Sequence, residues 1–224
     1  MTVAGENFEM EISTTVRDAK IVYIVDDDVS MREAITAFID EAGWQPIAFA
    51  SAREFLAYPR ARVPSCLILD VMLPDLNGLQ LQQEIAFDQP TIPIIFITGY
   101  GDVPTSVRAM KAGAVEFLIK PFDDSDLLDA VRGALERSAA TMGERVKKDL
   151  LRRRYASLTE REREVMQLVV CGMMNKQIAA ELSISIVTVK AHRGQVMRKM
   201  NARSLAELVD FAGDLQLPRR GQRS

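Results

Sequence analysis

Hydrophobic positions follow two regimes along the chain. From Lys20 onward, short β-branched runs alternate with amphipathic stretches. Ile21-Val22-Tyr23-Ile24-Val25 has the unbroken apolar character of a strand covered on both faces. Met31, Ala34, Ile35, Phe38, Ile39 and Ala42 then recur at three- and four-residue spacing, which predicts a helix burying one side. The alternation continues. Strands are predicted over 46–50, 66–69, 92–97 and 115–119, and helices over 52–58, 79–87 and 103–112, with a last helix marked by Leu127, Leu128, Val131, Ala134 and Leu135. Pro93 restricts the start of the fourth strand. Five strands alternating with five helices predict an α/β doubly wound parallel sheet.

After residue 138 the strand signal disappears. Residues 138–155 are polar and basic, with Arg152-Arg153-Arg154 and no proline, and read as a linker that could be partly helical; Gly133 and Gly143 weaken the helical reading. Thr159 is a good helix N-cap, and Glu162 three residues on completes a capping box. Val165, Met166, Leu168 and Val169 bury one side of that helix, and Gly172 stops it. Asn175 is expected to cap a second helix containing Ile178, Ala179 and Leu182, and Ser185 a third from Ile186 to Met200. A fourth runs from Leu205 to about Phe211. Two short helices around the turn at Ser183-Ile184-Ser185 form a helix-turn-helix pattern over about residues 175–194, inside an all-α unit over 156–216. On the third helix Val196 and Met200 fall within about 20° of Val189, while Val187, Lys190, Ala191, Gly194 and Arg198 lie opposite.

Charge sharpens this division. The 224 residues carry 28 Lys+Arg and 31 Asp+Glu, a net charge of −3 that by itself disfavours a nucleic-acid partner. Cut after Glu144, however, the first part holds 11 basic and 23 acidic residues (net −12) and the second 17 and 8 (net +9). An acidic globular unit is thus joined to a basic one. Cys66 and Cys171 form no CxxC pair, so neither a disulfide framework nor a zinc site is expected. No apolar run approaches the ~18 residues of a membrane span, and the acidic segment 1–19 lacks the blocks of a signal peptide. A cytoplasmic protein with no membrane partner is the expectation.

In a doubly wound sheet, reactive groups gather at the carboxyl ends of the strands. The residues there are Asp26-Asp27-Asp28 after the first predicted strand, Asp70 after the third, Thr98 after the fourth and Lys120 after the fifth. Carboxylates from two strands brought to one edge repel unless a cation sits among them. Mg²⁺, an oxygen-seeking ion commonly held by one or two carboxylates, answers that need, and Lys120 supplies a second positive group. An aspartate beside both cations is placed to attack a phosphoryl group.

At these residues the sequence resembles the receiver domain of two-component response regulators of the FixJ/NarL type. The resemblance covers residues 20–137 and rests on Ile24-Val25-Asp26-Asp27-Asp28, on 69–78 (LDVMLPDLNG), on 98–104 (TGYGDVP) and on 110–122 (MKAGAVEFLIKPF). It implies a flavodoxin-like sheet of order 2-1-3-4-5, with Asp70 as phosphoacceptor for a sensor histidine kinase. It further implies that Asp26, Asp27, Asp70 and the backbone carbonyl of Met72 hold Mg²⁺, that Thr98 and Lys120 contact the phosphoryl group, and that Phe117 is the switching aromatic. A cis peptide before Pro121 is a family feature. Met72 departs from the pattern, since polar or basic side chains are more usual at that place.

Residues 156–213 resemble the LuxR-type DNA-binding domain, through Leu158-Thr159-Glu160-Arg161-Glu162, Asn175-Lys176-Gln177-Ile178-Ala179 and Thr188-Val189-Lys190-Ala191-His192-Arg193. By position, Lys190, Ala191 and Gly194 would face base edges, Lys176, Thr188, Arg193 and Lys199 would meet phosphates, and Arg198 belongs to the same basic surface. His192, the single histidine, lies nearer the core stripe and suits a structural or phosphate-contact role. The implied partners are the kinase, promoter DNA, a second copy of the chain and RNA polymerase; residues 217–224 form a basic tail. A haloacid-dehalogenase-like phosphotransferase would need an acid at Met72, and a nucleotide-binding enzyme a Gly-rich loop that Gly99-Tyr100-Gly101 does not complete. A regulator rather than an enzyme is therefore expected. The alternative is a phosphotransfer or partner-binding module whose basic half does not read DNA sequence.

Overall fold

The structure, a computed structural model, describes residues 20–88, 92–99 and 103–217. The N-terminal extension, most of the basic tail and the Tyr100-Gly101-Asp102 part of the 98–104 motif lie outside the described residues. The element order is β1 (Ile21–Val25), α1 (Val29–Glu41), β2 (Gln45–Phe49), α2 (Ala52–Ala57), β3 (Ser65–Asp70), α3 (Gly78–Asp88), β4 (Ile94–Thr98), α4 (Val103–Lys111), β5 (Glu116–Ile119) and α5 (Asp124–Ala156). Four further helices follow: α6 (Glu160–Val170), α7 (Asn175–Glu181), α8 (Ile186–Met200) and α9 (Leu205–Asp214). The chain divides after Gly143 into two compact units.

In the first unit the sheet order is β2-β1-β3-β4-β5 and every pairing is parallel. The continuous apolar runs have a direct cause. Ile21, Tyr23 and Val25 of β1 enter one core with Phe49, Phe55, Leu67 and Leu69, whereas Val22 and Ile24 enter the opposite one with Ile35, Ile39, Ile68 and Val131. Alternate side chains of a strand point to opposite faces, so a strand buried on both sides must be apolar throughout. The edge strand β2 is only partly covered and tolerates Pro46. Some strand ends differ from expectation: the fourth begins at Ile94, after Pro93, and the fifth at Glu116, with the Val115 amide already bonded to the Ile94 carbonyl at 2.8 Å.

The largest departure is α5. Residues 138–155, expected as a linker of partial helicity, lie within a continuous helix of 33 residues. Gly133 and Gly143 each cost about 1 kcal/mol relative to alanine, too little to break a helix rich in Ala, Leu, Glu, Lys and Arg. Pairs at three-residue spacing, Asp129–Arg132, Glu144–Lys147 and Asp149–Arg152, support it modestly.

The second unit packs Val165, Met166, Leu168 and Val169 of α6 against Ile178, Val189, Val196, Met200 and Leu208. Thr159 and Glu162 form the reciprocal capping box, and Gly172 takes the left-handed φ of 82° that ends the helix. The cap of α7 corrects the expectation for Asn175. Met174 is the N-cap, its amide bonded to Gln177 Oε1 at 2.7 Å, and Asn175 is the first helical residue. Asn175 is engaged elsewhere: its Oδ1 accepts from Arg193 Nη1 at 2.7 Å. Among the described residues no helix is long and apolar enough to cross a membrane.

Candidate phosphoacceptor site and nucleic-acid interface

Parallel pairing assembles the acidic site. Val25 lies opposite Leu69, so the residues that follow, Asp26 and Asp70, arrive side by side at the carboxyl edge. Asp70 pairs with Ile97, Thr98 with Ile119, and Lys120 follows directly. Lys120 Nζ donates to Asp26 Oδ2 at 2.8 Å and to Asp70 Oδ2 at 2.7 Å. The remaining oxygens are oriented by backbone, Asp26 Oδ1 accepting from the Asp28 amide at 2.9 Å and Asp70 Oδ1 from the Met72 amide at 2.8 Å. The Lys120–Pro121 peptide is cis.

Burial sets the electrostatics. Asp26 is wholly inaccessible, and that desolvation pushes its carboxyl above the ordinary range despite hydrogen bonds from Lys120 and the Asp28 amide. Burial also works against the Lys120 ammonium, but the bonds to Asp26 and Asp70 prevail and hold it charged beyond its usual range. Asp27 is exposed, and one oxygen each from Asp26, Asp27 and Asp70 lie within 4.8 Å of one another. Three hard oxygen donors at that separation suit a small divalent cation. Thr98 is buried beside them, and the Met72 side chain projects outward. Phe117 is partly buried, its ring 6.2 Å from that of Phe96.

Several supporting residues were not assigned from the sequence. Asp28, the third acid of the run, is the N-cap of α1, accepting from the Ser30 and Met31 amides. Arg32 reaches back to the Asp26 carbonyl at 2.6 Å. Asp75 ties the loop after Asp70 to the start of α2 by accepting from the Ala52 and Arg53 amides, bonds that lower its carboxyl although burial opposes them. Gly78 is required for close approach: a Cβ there would stand 2.5 Å from the Asp70 carbonyl oxygen and 3.1 Å from Val71 Cα. An isolated glycine opening a helix eight residues after the acceptor was the one available signal.

In the second unit, Val189, Val196 and Met200 are buried, and Val187, Lys190, Ala191, Gly194 and Arg198 are all exposed along the opposite side of α8. Lys176 is exposed near the start of α7. Thr188 shares a hydrogen bond with Ser185, and Arg193 is half-buried against Asn175. Lys199 corrects the expectation. Its ammonium lies 2.6 Å from Glu162 Oε2 and 3.2 Å from the Ser157 carbonyl, so its charge neutralises a buried acid of the unit's own core.

This pair has a pH signature. The Lys199 bond, with the Thr159 amide adding to it, holds the Glu162 carboxyl below its usual value of 4.5. A carboxylate with a lowered folded pKa contributes stability above its unfolded pKa and loses it as pH falls through the folded one. Lys199→Ala therefore costs about 1 kcal/mol at neutral pH, and less below pH 4.5. Urea unfolding of the full chain at both pH values checks this; an equal cost at each would remove the ion pair from the account.

A lysine-bridged acidic pocket on a 2-1-3-4-5 parallel sheet, followed by a basic helix-turn-helix unit, defines a class of two-part signalling protein. Residues 22–132 match the family described as "Response regulator receiver domain", and 156–212 match "Bacterial regulatory proteins, luxR family". Nodulation protein W of Bradyrhizobium diazoefficiens is 49% identical over 211 residues, covering 94% of this chain and 91% of that protein. Transcriptional regulatory protein FixJ of the same organism is 41% identical over 192 residues, covering 85% and 93%. Among solved structures, response regulator StyR is similar at a TM-score of 0.80 and 45% identity, covering 87% of this chain and 98% of that one. The chain belongs to the two-component response regulators that couple a receiver domain to a LuxR-type DNA-binding domain, and it is a phosphorylation-regulated transcriptional regulator. This pairing of domains fits a regulatory, non-enzyme role.

Proposed function

We propose that Asp70 accepts the phosphoryl group, from a sensor histidine kinase, and that its modification changes the receiver surface so that the basic unit occupies promoter DNA in the cytoplasm. The observation that carries this is the Lys120 ammonium bridging Asp26 and Asp70 beside a third carboxylate. The Met72 amide and Lys120 fix the Asp70 carboxylate, and one of its oxygens attacks phosphorus while the bond to the donor nitrogen breaks. Asp26, Asp27, Asp70 and the Met72 carbonyl would hold Mg²⁺, which when bound offsets charge on the phosphoryl oxygens. Lys120 contributes the same stabilisation from its side of the pocket.

A phosphoryl group on Asp70 adds charge and acceptor oxygens that draw in the Thr98 hydroxyl and Lys120. Phe117, packed beside Phe96 on the neighbouring strand, lies where such a movement alters the surface of α4 and β5. Pairing two receivers would place two basic units on two half-sites, multiplying phosphate contacts, and the DNA-bound pair would then meet RNA polymerase.

In the basic unit, Lys190, Ala191 and Gly194 face base edges, with Lys176, Thr188, Arg193 and Arg198 towards the backbone. Lys190→Ala is expected to weaken a specific site roughly tenfold, while random duplex binding falls only slightly. Titrating both duplexes by fluorescence anisotropy checks this. Equal losses on both would move Lys190 to the backbone, and absence of any preferred site would favour a phosphotransfer module that does not read sequence.

A further inference from the structure

A strip along the outer side of α8 carries no hydrogen-bonding side chain. Val187, Ala191 and Gly194 follow one another at four- and three-residue spacing and so share one side of the helix. None carries a polar side-chain atom. Lys190 and Arg198 flank them, and Arg198 Nη2 already donates to Gln195 Oε1. Val187 is 76% exposed, the most exposed large apolar side chain among the described residues, and stands in the first turn of the helix. A Cβ added at Gly194 would meet nothing within 4 Å, so packing within the unit does not demand the glycine; its effect is to let the helix backbone come closer to whatever lies outside.

The major groove offers donors, acceptors and one apolar group, the 5-methyl of thymine. A rigid, β-branched, outward-facing valine can discriminate only the last of these. We propose that Val187 is a specificity-determining residue that packs on a thymine methyl, with Ala191 continuing the apolar strip. The inference rests on the proposed reading of α8 as the base-facing helix. It deepens that reading: the preferred sequence is recognised largely by methyl groups, with Lys190 supplying the polar contact.

The test removes a single methyl. A preferred duplex is first selected from a random pool with the full-length phosphorylated chain, and each thymine is then replaced singly by deoxyuridine. At one thymine per half-site the wild type is expected to lose roughly fourfold in affinity, the equivalent of one buried methyl. Val187→Ala, which alters both half-sites at once, should lose about that factor squared, roughly sixteenfold, on the thymine duplex, become indifferent to that replacement, and keep its affinity for random duplex. Val187→Thr, which keeps the shape but exchanges a methyl for a hydroxyl, should fall between. Circular dichroism of each variant verifies the helix. If no uridine replacement matters, or if Val187→Ala remains as sensitive as the wild type, the assignment is overturned while DNA recognition stands. If no preferred duplex is recovered, the underlying DNA reading fails and the assignment with it.

Discussion

Asp70→Asn protein incubated with Mg²⁺ and a small phosphoryl donor such as acetyl phosphate takes up no acid-labile phosphate, under conditions that label the wild type fully. The expected loss is at least about a thousandfold, because the amide offers no anionic oxygen to attack phosphorus. The variant should fold. Asparagine keeps the shape of the side chain and one oxygen for the Met72 amide, and it removes one of two negative charges that Lys120 now neutralises together. Without Mg²⁺ its thermal midpoint should therefore equal or exceed that of the wild type. Phosphate that persisted in the variant would identify another acceptor, and a collapsed midpoint would mean that Asp70 is chiefly structural.

Lys120→Met carries the second large effect, on stability as well as chemistry. The lysine is only 16% exposed and its partners less so, and removing one member of such a pair leaves charge that solvent cannot reach. The cost is about 3 kcal/mol at neutral pH without metal. Two conditions should recover much of it. Mg²⁺ can take over the neutralisation among Asp26, Asp27 and Asp70, so the variant's midpoint should rise with Mg²⁺ more steeply than the wild type's. Acid should help as well, since burial already pushes the Asp26 carboxyl above its ordinary range and its protonation relieves the repulsion in the pocket. Thermal unfolding followed across a Mg²⁺ series measures this. A variant that is no less stable than the wild type, or one equally destabilised at every Mg²⁺ level, would show that Lys120 does not hold the acidic pocket together.

Much of this site was legible in the sequence because its residues gather at one repeated position, the carboxyl end of a strand, Asp70 and Thr98 as the last strand residues and Asp26 and Lys120 as the first beyond. Ile21–Val25 and residues 66–69 are continuous apolar runs each followed by an aspartate, and parallel pairing brings such ends together. The sheet order came from the resemblance, since strand periodicity does not specify neighbours. What escaped depends on close approach in three dimensions. Gly78 looks like an ordinary turn glycine until the Asp70 carbonyl is seen against the space a Cβ would fill. Lys199 sits in a basic run and reads as a phosphate ligand, yet it lies about 80° from the buried stripe, close enough to reach Glu162. Asn175 has the chemistry of a cap, but Gln177 performs the reciprocal bond and leaves Asn175 to position Arg193. In α5 the two glycines suggested a break that a long run of good helix formers overrides.

The central claim is that the charge state of Asp70 controls how the basic unit binds DNA. The most direct measurement is the affinity of the full-length protein for its preferred duplex, with and without phosphorylation, beside Asp70→Asn under the same Mg²⁺ and salt. The account predicts that phosphorylation tightens wild-type binding by at least about tenfold through pairing of two half-site contacts, while Asp70→Asn stays at the unphosphorylated value throughout. Equal affinity of phosphorylated and unphosphorylated wild type would contradict it.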